Sequence, residues 1–256
     1  MKVVVYNSMC GAYGRSFWRM VLFHILMFVA GGQRLINWLF PENFKDMFEQ
    51  ISIEKPDILC LTEIPRTAVG RLKKRLRKEG FRSFSYRPSQ WYSGRFNIGV
   101  MLATRQESGK NRMPEDTVHA LAAGWGYAHL WVPAQNLVIV GVHLALNSWV
   151  HRLQLRALSK FVLKQKNLGR RIIVAGDFNC TEAFARKTSA LFRKAKLMGS
   201  RLRTFPNGLP NALRWDLDHV FCCESFIIKQ AKAISRFSDH MMITCTLGDA
   251  QRAQPA

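Results

Sequence analysis

Two short runs near the C-terminal end hold residue types that packing does not call for: Val174-Ala-Gly-Asp177-Phe-Asn179 and Ser238-Asp239-His240. Each sets an acid at the edge of an apolar, strand-like stretch, Ile172-Ile173-Val174 before the first and Met241-Met242-Ile243 after the second. Acids are scarce here, 17 against 38 Lys and Arg, so a carboxylate at a strand end is a costly choice. A hard divalent cation explains it, because such ions take oxygen ligands and offset the desolvation of a partly buried carboxylate. A histidine beside that site can move protons near neutral pH.

The same pattern recurs upstream. Met1-Lys-Val-Val-Val-Tyr-Asn7 is a β-branched run ending in an amide, and Pro56-Asp-Ile-Leu-Cys-Leu-Thr-Glu63 is an apolar run ending in an acid. Val138-Ile-Val-Gly-Val-His143 ends in histidine, and Trp215-Asp-Leu-Asp218-His-Val-Phe221 adds another acid. Taken in order, from Asn7 to about Leu247, the series resembles the endonuclease/exonuclease/phosphatase superfamily. That superfamily includes DNase I, exonuclease III, apurinic endonucleases, neutral sphingomyelinases and inositol-polyphosphate 5-phosphatases. Each motif alone arises by chance; their order over a chain of this length carries the resemblance.

The resemblance implies an α+β fold, a four-layer αββα sandwich of two mixed sheets with helices outside and catalytic loops at one end. It also implies Mg²⁺ (Mn²⁺ as the alternative) and attack of water on a phosphorus ester. Glu63 is the metal ligand by its hard oxygens and by resemblance, with Asn7 as a neutral oxygen and Asp239 joining the metal shell or pairing with His240. Family likeness places Asp177 and Asn179 at the attacking water, and His240 at the scissile phosphate with Asp218 holding its imidazole. Whether Asp177 or His240 is the base stays open. His143 resembles the second histidine of the DNase and sphingomyelinase branches, and Asn97 a position near the substrate phosphate. His219, beside Asp218, is a candidate for the cleft wall. The apurinic-endonuclease branch typically has Asp-Tyr where Asp218-His219 stands, which argues against abasic-site repair. Singly, Asp177 could cap the next helix, Asn7 could be a turn residue, and Glu63 could be an acid in a first helical turn.

Apolar runs and Gly/Pro punctuation predict strands at 2–7, 57–62, 82–86, 97–103, 126–132, 137–144, 171–176, 217–222, 226–234 and 241–247. Helices are predicted at 42–54, 66–79, 149–167 and 181–196, the third with a broad apolar stripe from Trp149 to Val162. No Pro/Gly/Ser linker separates the motifs, so residues 1–248 read as one domain and 249–256 as a loose tail. An apolar stretch at 15–40 departs from the family pattern. Its unbroken part is too short to span a bilayer, and it reads as a buried helix or an interface with another subunit, with a helix lying in a headgroup region as the alternative.

The formal charge is +21 and the isoelectric point about 10.3. Residues 66–112 hold 13 cations against two acids, and residues 152–203 hold 14 against two. Such clustering beside a phosphodiesterase-like site favours nucleic acid as partner. The alternative is a phospholipid or sphingomyelin phosphodiesterase, or a phosphoinositide phosphatase, at an anionic membrane reached through 17–40, and a catalytically silent polyanion-binding module is the non-enzyme alternative. The six cysteines show no zinc-type spacing and no leader precedes the first strand, so a cytoplasmic location is expected.

Overall fold

The computed structural model describes residues 1–8, 44–88, 98–109, 127–207, 209–235 and 238–250. The apolar stretch at 15–40, Asn97 and the last six residues lie outside the described residues.

The strands are β1 (Lys2–Asn7), β2 (Ile58–Pro65), β3 (Ser83–Pro88), β4 (Ile98–Thr104), β5 (Tyr127–Val132), β6 (Leu137–His143), β7 (Arg171–Asp177), β8 (Met198–Gly199), β9 (Asp218–Cys222), β10 (Phe226–Ile234) and β11 (Met242–Asp249). They form a six-stranded sheet, β10-β11-β1-β2-β4-β3, and a five-stranded sheet, β5-β6-β7-β9-β8. Both sheets are mixed: β1 runs parallel to β2 and β6 parallel to β7, while the other pairs are antiparallel.

Strand alternation explains the layering. Val3 and Val5 point into a core shared with Val140, Val142 and Ala175 of the other sheet. Val4 and Tyr6, one residue out of phase, belong to a second core with Met47 and Ile51 of α1 (Lys45–Glu54) and Leu72 and Leu76 of α2 (Val69–Lys78). The five-stranded sheet is covered on its far side by Leu155, Leu158 and Phe161 of α3 (Ser148–Asn167) and Phe192 of α5 (Ala190–Lys194). The order is therefore helix, sheet, sheet, helix. Strands buried on both faces must be apolar at nearly every position, which is why they read as continuous runs. The two sheets approach closely at Gly141, where a Cβ would stand 2.9 Å from the Leu102 side chain.

Each predicted strand is present, its ends shifted by a few residues at most, and among the described residues only β8 went unforeseen, being too short to carry a pattern. The helix expected over 181–196 is two, α4 (Glu182–Thr188) and α5, broken at Ser189. Ser189 leaves helical geometry to accept from the Phe192 amide and to pair with the buried Ser159 hydroxyl at 3.0 Å. That cap outcompetes one more helical turn. No helix among the described residues is long and apolar enough to cross a membrane.

Candidate active site

Strands of both sheets bring their polar ends to one edge. Asn7 closes β1 and is in register with Thr62 of the parallel β2. Glu63 follows Thr62 at an irregularity in the β2–β4 register and has φ +56°, a left-handed conformation that few non-glycine residues adopt. In the other sheet His143, Asp177 and Asp218 stand side by side on β6, β7 and β9. Gly176 (φ +140°) makes that alignment available, because a Cβ there would collide with the Val142 carbonyl oxygen.

The side chains converge on one carboxylate oxygen. Asn7 Nδ2 donates to Asp177 Oδ2 at 3.0 Å and to Glu63 Oε1 at 3.1 Å. His143 Nε2 lies 3.8 Å from each of these two oxygens, and His240 Nε2 lies 3.9 Å from Asp177 Oδ2. His240 Nδ1 is 2.7 Å from Asp218 Oδ2, which fixes the ring with its other nitrogen toward Asp177. Asp177, Asp218 and His240 are all buried.

Burial pushes the Asp177 carboxyl up to about 6, with the nearby Asp218 charge acting in the same direction and the histidines and the Asn179 amide opposing it. Burial alone would lower the His240 imidazole. The surrounding Asp218, Asp239 and Asp177 carboxylates outweigh it and hold the ring well above its ordinary range. Burial thus raises the Asp177 carboxyl, while the surrounding carboxylates favour the protonated form of the His240 imidazole.

A model of the Endonuclease/Exonuclease/phosphatase family matches residues 29–240. The chain belongs to that family. Among solved structures, it superposes on an endonuclease/exonuclease/phosphatase from Beutenbergia cavernae DSM 12333 with TM-score 0.65 at 15% identity, covering 97% of this chain and 71% of that one. An AP endonuclease from Archaeoglobus fulgidus superposes with TM-score 0.60 at 14% identity, covering 96% and 98%. The mannosyl-6-phosphatase Bt3783 of Bacteroides thetaiotaomicron VPI-5482 gives 0.61 at 16% identity, covering 97% and 99%. Identities this low show a shared fold. A search of curated proteins returned no match.

Members of the Endonuclease/Exonuclease/phosphatase family typically depend on a metal, and the donor set here fits a hard divalent cation. Glu63, His143 and Asp177 offer ligand atoms within 4.8 Å of one another, as do Asp177, Asp218 and His240. The Asn7 amide nitrogen, hydrogen-bonded to two carboxylates at once, occupies the place of a positive charge. A half-turn of that amide exchanges nitrogen for oxygen.

Asp239 and Asn179 sit less centrally than the resemblance implied. Asp239 Oδ1 lies 3.0 Å from Ser238 Oγ and Asp239 acts on His240 through its charge, but it belongs to neither close group of ligand atoms. Asn179 holds Asp177 through its backbone: its N–H donates to Asp177 Oδ1 at 2.8 Å, while its side-chain amide donates to the Leu144 carbonyl at 2.7 Å. His219 does not line the cleft. Neighbouring residues of β9 point to opposite faces, so Asp218 turns to the site and His219 into the core, bonded to the Cys180 carbonyl at 3.0 Å and stacked against Phe221. Cys180 is likewise structural, a buried thiol pushed up to about 12 by desolvation.

Two supporting residues carried no assigned role in the sequence. Ser238 Oγ donates to the Asn7 carbonyl at 2.7 Å and accepts from the His240 amide, joining the last motif to the first strand. Thr204, fully buried, donates to Asp218 Oδ2 at 2.6 Å and thereby orients the carboxylate that orients His240. Its place in Thr204-Phe-Pro-Asn, beside the other motifs, was the only available signal. Thr204→Val should lower kcat about tenfold while leaving the circular dichroism spectrum unchanged, and Thr204→Ser should restore most of the loss. Equal activity in the Val and Ser proteins would remove Thr204 from the relay.

Proposed function

We propose that this protein is a divalent-metal-dependent phosphoesterase that hydrolyses phosphodiesters by direct attack of water. The observation that carries this reading is the convergence of Asn7, His143 and His240 on Asp177 Oδ2, with His240 fixed by Asp218. Mg²⁺ held by Glu63 and the Asn7 amide oxygen would supply positive charge against the phosphate oxygens, with Asp239 close enough in sequence to His240 to support that shell.

The remaining steps belong to side chains of the chain itself. Asp177, raised to about 6, takes a proton from the attacking water as the new P–O bond forms. The Asn179 carbonyl oxygen, left over once its amide nitrogen is committed to Leu144, helps hold that water. His240, charged and locked by Asp218, donates from Nε2 to a non-bridging oxygen, where negative charge builds up. His143 donates to the leaving oxygen as the old P–O bond breaks. Asp177 is preferred over His240 as the base, because the carboxylates around His240 favour its protonated form.

The substrate reading rests on charge. The cationic stretches support a polyanion, and α2 presents one as a solvated face, with Arg71, Lys74, Arg75, Arg77 and Lys78 exposed over buried Leu72 and Leu76. Nucleic acid is the first polyanion to test. The decisive assay is Mg²⁺-dependent turnover, with an EDTA control, on plasmid DNA, single-stranded RNA and bis-p-nitrophenyl phosphate. Turnover surviving EDTA would sink the metal-dependent mechanism.

Binding of the ion should depend on pH with a definite sign. An ion held by Glu63 and Asn7 is favoured by the neighbouring Asp177 charge, so the rise in Tm caused by Mg²⁺ should be larger at about pH 7.5 than at about pH 5. A shift in Tm equally large at both values would place the ion elsewhere.

A further inference from the structure

The two segments that leave the active edge of the five-stranded sheet are unusually apolar on their exposed side. After His143 the chain exposes Leu146 (74%) and Trp149 (68%), and Leu153 continues the face one turn along α3. Before Asp218 it exposes Leu213 (62%) and Trp215 (57%). β6 ends and β9 begins on the same edge, since His143, Asp177 and Asp218 are in register, so both exposed clusters belong to the end of the sandwich that holds the site. A ring path joins one cluster to it directly. Trp215 stacks on Phe205 with centroids 6.2 Å apart, and Phe205 lies 4.7 Å from the His240 ring.

Charge says what this surface meets. The stretch 144–167 contains Arg152, Arg156, Lys160, Lys164 and Lys166 and no acid, and the stretch 198–215 contains Arg201, Arg203 and Arg214 and no acid. Arg152, Arg156 and Lys160 are exposed on α3, beside Trp149 and Leu153. Indole and leucine side chains projecting beside the exposed Arg152, Arg156 and Lys160 match an anionic bilayer, where the apolar groups enter the acyl boundary and the cations meet headgroup phosphates. Nucleic acid matches it less well, because leucine cannot stack on bases and gains little in a hydrated groove.

We propose that the face formed by Leu146, Trp149, Leu153, Leu213 and Trp215 docks this protein on an anionic lipid surface and delivers a phosphate ester of that surface to the site. The delivery half rests on the phosphoesterase reading; the docking half stands without it. Because the mouth of the site and the docking face share one end, a bound lipid phosphate would reach His240 and Asp177 without the enzyme leaving the membrane.

The test uses the full chain and vesicles of phosphatidylcholine with roughly 30% phosphatidylglycerol, against phosphatidylcholine alone. The wild type should sediment with the anionic vesicles and much less with the neutral ones. A Leu146→Ser/Trp149→Ser/Leu213→Ser protein should lose at least about tenfold in partitioning, with turnover of soluble bis-p-nitrophenyl phosphate unchanged. None of these side chains faces the core, and a matching melting curve excludes misfolding. Unchanged partitioning in the triple variant would assign membrane binding to another part of the chain and overturn the proposal. Loss of single-stranded DNA affinity in that variant, without wild-type vesicle binding, would also overturn it and make the face a nucleic-acid platform. Vesicle binding with no turnover of any ester would instead refute the phosphoesterase reading and leave the docking surface in place.

Discussion

Replacing Asp177 with Asn is expected to lower turnover of bis-p-nitrophenyl phosphate by about a thousandfold or more and, without metal, to raise the melting temperature above neutral pH. The loss of activity follows from removing the proton acceptor on which the site converges. The gain in stability follows from burial. The carboxyl is raised from 3.8 to about 6 in the folded protein, so ionising it there costs more than in the unfolded chain. Its contribution to stability is complete below the unfolded value and is lost as pH rises through about 6. An amide carries no such cost. It keeps the Asn179 N–H bond to Oδ1, and the Asn7 amide can turn its oxygen to meet the new NH₂ group. The difference in Tm should therefore shrink toward zero near about pH 4. Thermal melts across pH with EDTA present check the sign, and wild-type turnover in the Asp177→Asn protein would remove Asp177 from the mechanism.

Removing His240 should be costly in both respects. His240→Ala is expected to lower kcat by about 10²–10⁴-fold and to destabilise the fold by about 3–5 kcal/mol. The structural cost arises because Asp218 is fully buried and would keep only Thr204 as a side-chain donor. The folded imidazole is held well above 6.5, so the stability gained from its protonation is complete below that value, persists through neutral pH and is lost only as pH climbs through the raised pKa. Asp218→Asn should lower activity comparably, since its amide can donate to Nδ1 and reverse the tautomer. The two substitutions act on one pair, so the double variant should be little worse than His240→Ala alone. Strictly additive losses, measured by a double-mutant cycle in kcat, would mean that Asp218 and His240 do not work as a unit.

How much of this was legible beforehand follows from what each feature depends on. The central strands were readable because they are buried on both faces, which demands apolar residues almost throughout, and a polar residue at the edge of such a run stands out. Asn7, Glu63, His143, Asp177, Asp218 and His240 were found that way, with the family resemblance supplying their roles. Asp218 and His219 are a finer case. Alternation requires neighbouring strand residues to face opposite ways, yet the sequence does not say which of the two faces the site.

Composition and local pattern by themselves determined the strands, the polar residues at their ends and the basic surface, because each depends on the character of a few neighbouring residues. Tertiary structure alone decided that Asn7 and Asp177, 170 residues apart, share a hydrogen bond and that Thr204 stands behind Asp218. It also decided that Asp239 lies outside the close groups of ligand atoms and that exposed Leu and Trp side chains stand at the active end. Those facts depend on how two sheets stack and in what register their edges meet. That is a property of the packed core, and no local stretch of chain encodes it.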